Sequence, residues 1–260
     1  TNHCFVLVFN WLAAGARTVF LQDANSLIMP TRDLLEVLTY LHQHFPTLER
    51  VTSYARAKTI ARKPLEELKQ LRAAGLSRLH VGLESGDDEV LLYVDKGVTA
   101  QEQIAGGRKA KEAGFELSEY VMPDLGGRAM SDQHARNTAR VLNEIDPHFI
   151  RMRPFVVSSA QPLFADYESG ELELSSPHQR LRELRTLIEN LEVTSRVCFD
   201  HFLNAWYQDD TRRRTLFTQD YSGYKFPEQK EEVLELIEEG LRLDESLHMH
   251  VKDMIELRSL

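Results

Sequence analysis

Apolar runs of strand length alternate with amphipathic helical stretches through the first 160 residues, and that alternation sets the expected fold. The runs are Thr18 to Asp23, Arg50 to Ser53, Arg78 to Glu84, Glu116 to Met122 and Phe149 to Val156. Parallel neighbours need a helical crossover, so the rhythm predicts βα units around a parallel sheet. The intervening helices are read from their stripes and stops. Val6, Phe9, Trp11 and Leu12 form a stripe that ends at Gly15, and Leu34, Leu35, Leu38, Leu41 and Phe45 follow Thr31, read as an N-cap. Leu65, Leu68 and Leu71 lie between a first-turn Pro64 and a closing Gly75. Ser85-Gly86-Asp87-Asp88 reads as a turn that caps a helix over 89–94, Thr99 starts a helix closed by Gly114, and Ser131 reads as the cap of one that stops before Asp146-Pro147. A sixth strand is expected at the extreme N-terminus, around or before Cys4.

Beyond residue 160 the rhythm changes. Short and long helices over 162–167 and 177–191, the second behind Ser176, precede one more strand over 196–200. Trp206 to Phe226 is rich in aromatic, Arg and Asp residues and reads as a long loop or lid. Acidic amphipathic helices are expected over 227–242 and 245–260. The organisation expected is therefore a βα core over 1–160 and a C-terminal extension over 161–260.

Composition narrows the partners. With 31 basic and 40 acidic residues the formal charge is −9, which argues against a general grip on nucleic acid, since that needs clustered Lys and Arg. No apolar stretch has membrane-spanning length, and Thr1-Asn2-His3-Cys4 lacks both an initiator Met and a signal-peptide layout. A cytoplasmic protein with no membrane partner is expected, from a sequence that need not begin at the native N-terminus. The 2 cysteines, Cys4 and Cys198, are too few for a disulfide framework.

In parallel α/β folds ligands bind beyond the carboxyl ends of the strands, so function is expected at the exits. These offer Gln22 and Asp23, Ser53 and Tyr54, Glu84 and Ser85, Tyr120, and Arg151 with Arg153.

Several stretches fall in a telling order: Phe20-Leu21-Gln22-Asp23, Ser53-Tyr54-Ala55-Arg56-Ala57-Lys58, Leu71 to Gly75, Val81-Gly82-Leu83-Glu84-Ser85-Gly86-Asp87-Asp88-Glu89-Val90-Leu91, Val94-Asp95-Lys96-Gly97-Val98-Thr99 and Glu168-Ser169-Gly170-Glu171. Together they resemble the radical SAM superfamily, in the branch of oxygen-independent coproporphyrinogen oxidases and their uncharacterised relatives, over about residues 18 to 204. The resemblance implies a partial (β/α)6 TIM-like barrel with a C-terminal helical extension, binding S-adenosylmethionine (SAM) and a [4Fe–4S] cluster. It implies an enzyme that cleaves SAM reductively for hydrogen abstraction or group transfer, served by an electron donor such as flavodoxin or ferredoxin. Carried over by position, Gln22 and Asp23 match the exit that meets the methionine amino group. Glu84 and Ser85 match the exit that meets the ribose or amino group, Lys96 a base that pairs with the methionine carboxylate, and Tyr120 the approach to ribose and adenine. Ser53 belongs to the same implied cofactor set; Arg56, just after it, is read as holding a SAM carboxylate or a substrate acid, or as pairing with a nearby Glu.

One departure is large. The family holds its cluster through three cysteines spaced CxxxCxxC, whereas here Cys4 is followed by Phe5-Val6-Leu7-Val8-Phe9. Cluster irons demand thiolates. Either Cys4 is the first ligand of a cluster loop whose remainder is missing from this sequence, or the chain is a cluster-free SAM- or ligand-binding variant in which Cys4 is a buried thiol.

Substrate residues are read separately. Arg151 and Arg153 stand two apart on a strand and share a face. Turned inward they form a fork for a carboxylate or phosphate; turned outward they pair with acidic helices. Ile150 and Met152 at the alternate positions favour the inward reading, and with it a small anionic substrate. His201 and Asn204 after the last strand are further polar anchors, or caps. His42 with His44 and His248 with His250 lack metal-binding spacing or a third ligand, and Gly106-Gly107 lies within a helix rather than in a phosphate loop. Arg212-Arg213-Arg214 reads as solvated, or as a lid meeting an anion.

Overall fold

The computed structural model describes residues 3–202, 205–209 and 212–251. Its strands follow the apolar runs: β1 Thr18–Leu21, β2 Arg50–Ala55, β3 Leu76–Glu84, β4 Glu116–Val121, β5 Phe149–Met152 and β6 Arg196–Cys198. After the β7/β8 pair (Ala205–Asp209 and Arg212–Thr215) comes the short β9, Tyr224–Lys225. One sheet runs in the order β1-β2-β3-β4-β5-β6-β9, with β1/β2, β2/β3 and β5/β6 parallel and β9 antiparallel to β6. This is the mostly parallel sheet expected of a partial TIM-like barrel.

The helices are α1 His3–Ala13, α2 Thr31–His44, α3 Ala57–Arg62, α4 Leu65–Ala73, α5 Asp88–Tyr93, α6 Ala100–Glu112, α7 Gly127–Ile145, α8 Leu163–Ser169, α9 Pro177–Glu189 and α10 Lys230–Arg242. Two compact units group the chain as 1–82 with 105–118, and 83–104 with 119–260. Within the first, Leu34 and Leu38 of α2, Leu68 and Leu71 of α4, and Val51 and Leu79 of the sheet are buried. Gly106 lets α6 meet the backbone of α3, because a Cβ there would lie 2.5 Å from the Ala57 carbonyl oxygen. Within the second, Val90, Leu125, Phe155, Val157, Leu172 and Leu174 form one apolar cluster, and the Phe199 ring stacks on Phe217 at 4.1 Å.

Several local expectations are corrected. Cys4 lies in α1 and so not in a strand, and β6, read from the sequence as one more strand, pairs parallel with β5. Thr31 is the first helical residue behind an extended Pro30, and its hydroxyl bonds Glu67 rather than capping α2. Ser131 sits inside α7, which already starts at Gly127, and its hydroxyl donates to Glu183. Ser176 does cap α9, in a reciprocal capping box with Gln179. The stretch expected to be a loop contains the antiparallel β7/β8 pair, in which Trp206 faces Arg214 and Tyr207 faces Arg213. Only a 3-10 turn, Glu245–Leu247, stands where the last helix was expected to begin; 252–260 lie outside the described residues.

Candidate cofactor site at the strand exits

Two strand exits in the second unit carry the densest chemistry. At the end of β3, Glu84 adopts φ +64, a left-handed conformation that costs a non-glycine residue roughly 1–2 kcal/mol. The turn behind it holds that conformation. The Ser85 hydroxyl meets His134 Nδ1 at 2.8 Å, the Gly86 amide donates to Thr138 Oγ1 at 2.9 Å, and the Asp87 amide donates to Ser85 Oγ at 3.0 Å. Gln103 Nε2 donates to the Ser85 carbonyl at 2.7 Å. Asp87 caps α5 by accepting from the Glu89 and Val90 amides, and Asn137 donates to its other oxygen. Burial works against the Asp87 charge, yet these bonds from Val90, Asn137, Gln133 and Glu89 keep its carboxyl below the usual range.

That rigid turn presents a carboxylate. Three residues past the end of α5 stands Lys96, whose amide donates to the Leu91 carbonyl and whose Nζ lies 2.5 Å from Glu84 Oε1. Both side chains are partly exposed, at 23% and 28%, so the pair is open to a ligand. The Glu84 carbonyl accepts from the Met122 amide at 3.0 Å, tying the exits of β3 and β4 together. Glu119, on β4, is 1% exposed with one carboxyl oxygen unpartnered. Burial pushes its pKa up to about 8, against the pull of Lys96. Tyr120, next along, has Arg153 over its ring at 5.1 Å.

Arg151, in β5, and Arg153, just past its end, do not share an environment. Arg151 is fully buried: Nη1 donates to both carboxylate oxygens of Asp200 at 2.8 Å, Nη2 donates to the Tyr221 carbonyl at 3.0 Å, and the guanidinium lies 3.7 Å from the centre of the Tyr221 ring. The expected two-arginine fork is therefore divided, with Arg151 clamped and Arg153 exposed. His201 is exposed, 3.6 Å from Asp200, and Asn204 lies outside the described residues.

In the first unit, Gln22 and Asp23 are exposed, and Asp23 has φ +120. Ser53 is fully buried with its hydroxyl on the Tyr54 carbonyl, and Arg56 is exposed with its amide on Asn25 Oδ1. Phe20, Tyr54 and His80 pack as a ring cluster on one face of β1, β2 and β3. Cys4 is exposed on α1 and Cys198 is buried in β6.

Sequence reasoning missed His134, Glu183 and Glu119. His134 had a visible signal, because on α7 it falls in register with the buried stripe Thr138, Val141, Leu142 and Ile145. A ring nitrogen on such a stripe needs a buried partner.

Residues 12–141, half of the chain, match the Radical SAM superfamily. The chain belongs to that superfamily. A tRNA uridine(34) acetyltransferase from Methanocaldococcus jannaschii is 22% identical over 107 residues, 41% of this chain and 20% of the relative. An archaeal Elp3 from Methanocaldococcus infernus superposes with TM-score 0.60 at 15% identity, over 90% of this chain and 58% of that one. Coproporphyrinogen III oxidase from Escherichia coli, a radical SAM enzyme, gives 0.51 at 17% identity over 66% and 39%. At these identities the structures speak for the fold, and the chain spans about a fifth of the curated relative's length.

Family membership implies SAM and a [4Fe–4S] cluster. The donor set for SAM is present in kind, since Glu84 and Lys96 offer a carboxylate and an ammonium side by side. The donor set for the cluster is not. Cys4 and Cys198 are the chain's only thiols, Cys198 is sealed, and no group of His, Cys, Asp and Glu among the described residues could hold a metal ion. No helix of the described residues is long and apolar enough to cross a membrane.

Proposed function

We propose that this chain binds SAM at its strand exits and is the cofactor-holding part of a radical SAM enzyme acting on a small anionic substrate. The observation that carries this is the Glu84–Lys96 pair. A methionine moiety ends in an ammonium and a carboxylate, and each can replace one half of that internal pair at little electrostatic cost. Glu84 then takes the amino group or ribose, Lys96 the carboxylate, and Tyr120 the ribose and adenine. Gln22, Asp23 and Arg56 are proposed as further contacts of the cofactor, and the buried Ser53 and Ser85 as supports behind the contacting residues. Arg153, with His201 and Asn204, is proposed to receive the substrate; Arg151 holds the 221 segment in place. Bound SAM supplies a sulfonium whose reductive cleavage is the family's chemistry, in hydrogen abstraction or group transfer, with flavodoxin or ferredoxin as electron donor.

Calorimetric titration with SAM tests the site. Removing one member of a charge pair that bound ligand would cover costs about 2–5 kcal/mol, so Glu84→Ala or Lys96→Ala should weaken binding roughly thirtyfold or more. Unchanged affinity in both variants defeats the assignment. The cysteine set favours a second reading, a cluster-free SAM- or ligand-binding barrel. Iron and sulfide analysis after anaerobic reconstitution separates the two: stoichiometric iron and sulfide support the radical enzyme, and a colourless, iron-free protein that still binds SAM supports the barrel. Nucleic acid is left out of the proposal on the −9 charge. Since the curated relative is named for tRNA, retention of tRNA on a filter at physiological salt would overturn that exclusion.

A further inference from the structure

We propose that His134 is a positioning residue for the cofactor site: its imidazole, lodged between the Ser85 hydroxyl and the Met122 carbonyl, fixes the turn that aims Glu84. The inference rests on the SAM reading of Glu84 and Lys96. His134 is 1% exposed, with Nδ1 2.8 Å from Ser85 Oγ and Nε2 3.2 Å from the Met122 carbonyl oxygen. A carbonyl only accepts, so Nε2 carries the proton and donates, and Nδ1 accepts from the Ser85 hydroxyl. That direction fits the rest of the network, because Ser85 Oγ in turn accepts from the Asp87 amide. One ring thus bridges the exits of β3 and β4, which are joined a second time by the Met122 amide and the Glu84 carbonyl. The Glu183 carboxyl, itself pushed towards its neutral form by burial, lies 3.7 Å from Nε2, and Asp87 acts on the ring from the α5 cap. Burial dominates over the pull of the Met122 carbonyl and Asp87 and lowers the imidazole pKa to about 4, so the ring keeps the donor and acceptor arrangement at neutral pH. Ser85 is itself fully buried, which makes it a link to the ring rather than a surface for ligand.

The test is a double-mutant cycle read by calorimetry with SAM as titrant. His134→Phe keeps the bulk but neither bond, and should weaken SAM roughly tenfold. His134→Asn restores an acceptor near Nδ1 and should recover most of that loss. In the Glu84→Gln background the same His134→Phe change should have little further effect, because the side chain it aims has been disabled. Ser85→Ala, a smaller change, should repeat the pattern if His134→Phe fails to fold. Amide exchange over residues 84–90 should accelerate in His134→Phe without any ligand. Full multiplicative losses in the cycle, or a wild-type affinity in folded His134→Phe and Ser85→Ala, overturn the proposal. If Glu84→Gln alone leaves SAM affinity intact, the SAM reading fails instead, and the exchange data then decide whether His134 fixes the turn.

Discussion

Asp23 and Glu84 are both acidic residues at strand exits with left-handed backbone, φ +120 and +64, and they are held in opposite ways. Around Glu84 almost every polar group of the following turn has a partner on α5, α6 or α7. Around Asp23 the bonds are local: its carboxylate accepts from the next amide, Ala24, at 2.6 Å, and the residues on either side are exposed. A left-handed acid can therefore be imposed from outside, by packing, or carried by its own short-range bonds. The first gives a side chain of fixed aim, and the second one free to adjust.

The comparison breaks first at Gly86. A Cβ there would lie 2.5 Å from the Asn137 carbonyl oxygen and 2.6 Å from Thr138 Cα, which are backbone atoms of α7 that cannot swing away. Gly86→Ala should destabilise by about 3 kcal/mol and lower Tm by roughly 5–10 °C in thermal unfolding. A loss under about 1 kcal/mol would show that the turn is looser than its bonds indicate.

A second measurement contrasts the buried acid of the same unit with the exposed one. Glu119 has its folded pKa raised to about 8 by burial, and so does Glu183. A carboxyl raised above its unfolded value, about 4.3, contributes stability that is complete below that pH and is lost as pH rises through the folded value. Wild-type stability should therefore fall between about pH 5 and 8.5. Glu119→Gln should remove its share of that fall and leave that of Glu183. His134 acts the other way: its lowered pKa costs stability as pH falls from about 6.5 towards 4. An alkaline limb unchanged by Glu119→Gln means that Glu119 is already ionised in the fold.

The smallest effect belongs to Asp23. Asp23→Gly relieves about 1 kcal/mol of backbone strain but adds freedom to the unfolded chain, about 0.4–1 kcal/mol, so denaturant midpoints should move by less than about 0.5 kcal/mol. A larger loss would give the Asp23 carboxylate a structural part that its exposure denies.

The same contrast explains what the sequence disclosed. Strands β1 to β6 were legible because each apolar run stops at a polar exit, whereas β9 lay hidden in the stretch read as a loop; Glu84 and Lys96 were singled out because their motif is dense. The caps at Thr31 and Ser131 were misread because a hydroxyl near a helix start serves a carboxylate elsewhere equally well, and Glu67 and Glu183 are distant in sequence. The β7/β8 pair was hidden because Arg212-Arg213-Arg214 shows no apolar alternation. His134 was overlooked among apolar neighbours, although only a partnered ring could sit on that stripe.

β5 carries a consequence of its own. Parity tells which way a side chain turns, and it is silent about burial: Arg151 lies within β5 and is sealed by Asp200 and Tyr221, whereas Arg153 lies past the strand end at Met152 and is exposed. Two residues of strand span about 7 Å, more than the reach of a carboxylate or a phosphate group. A compact ligand that reached Arg153 would therefore meet one guanidinium, backed by the Tyr120 ring, and not two. Chemistry that needs a two-armed grip would have to recruit its second arm from another strand.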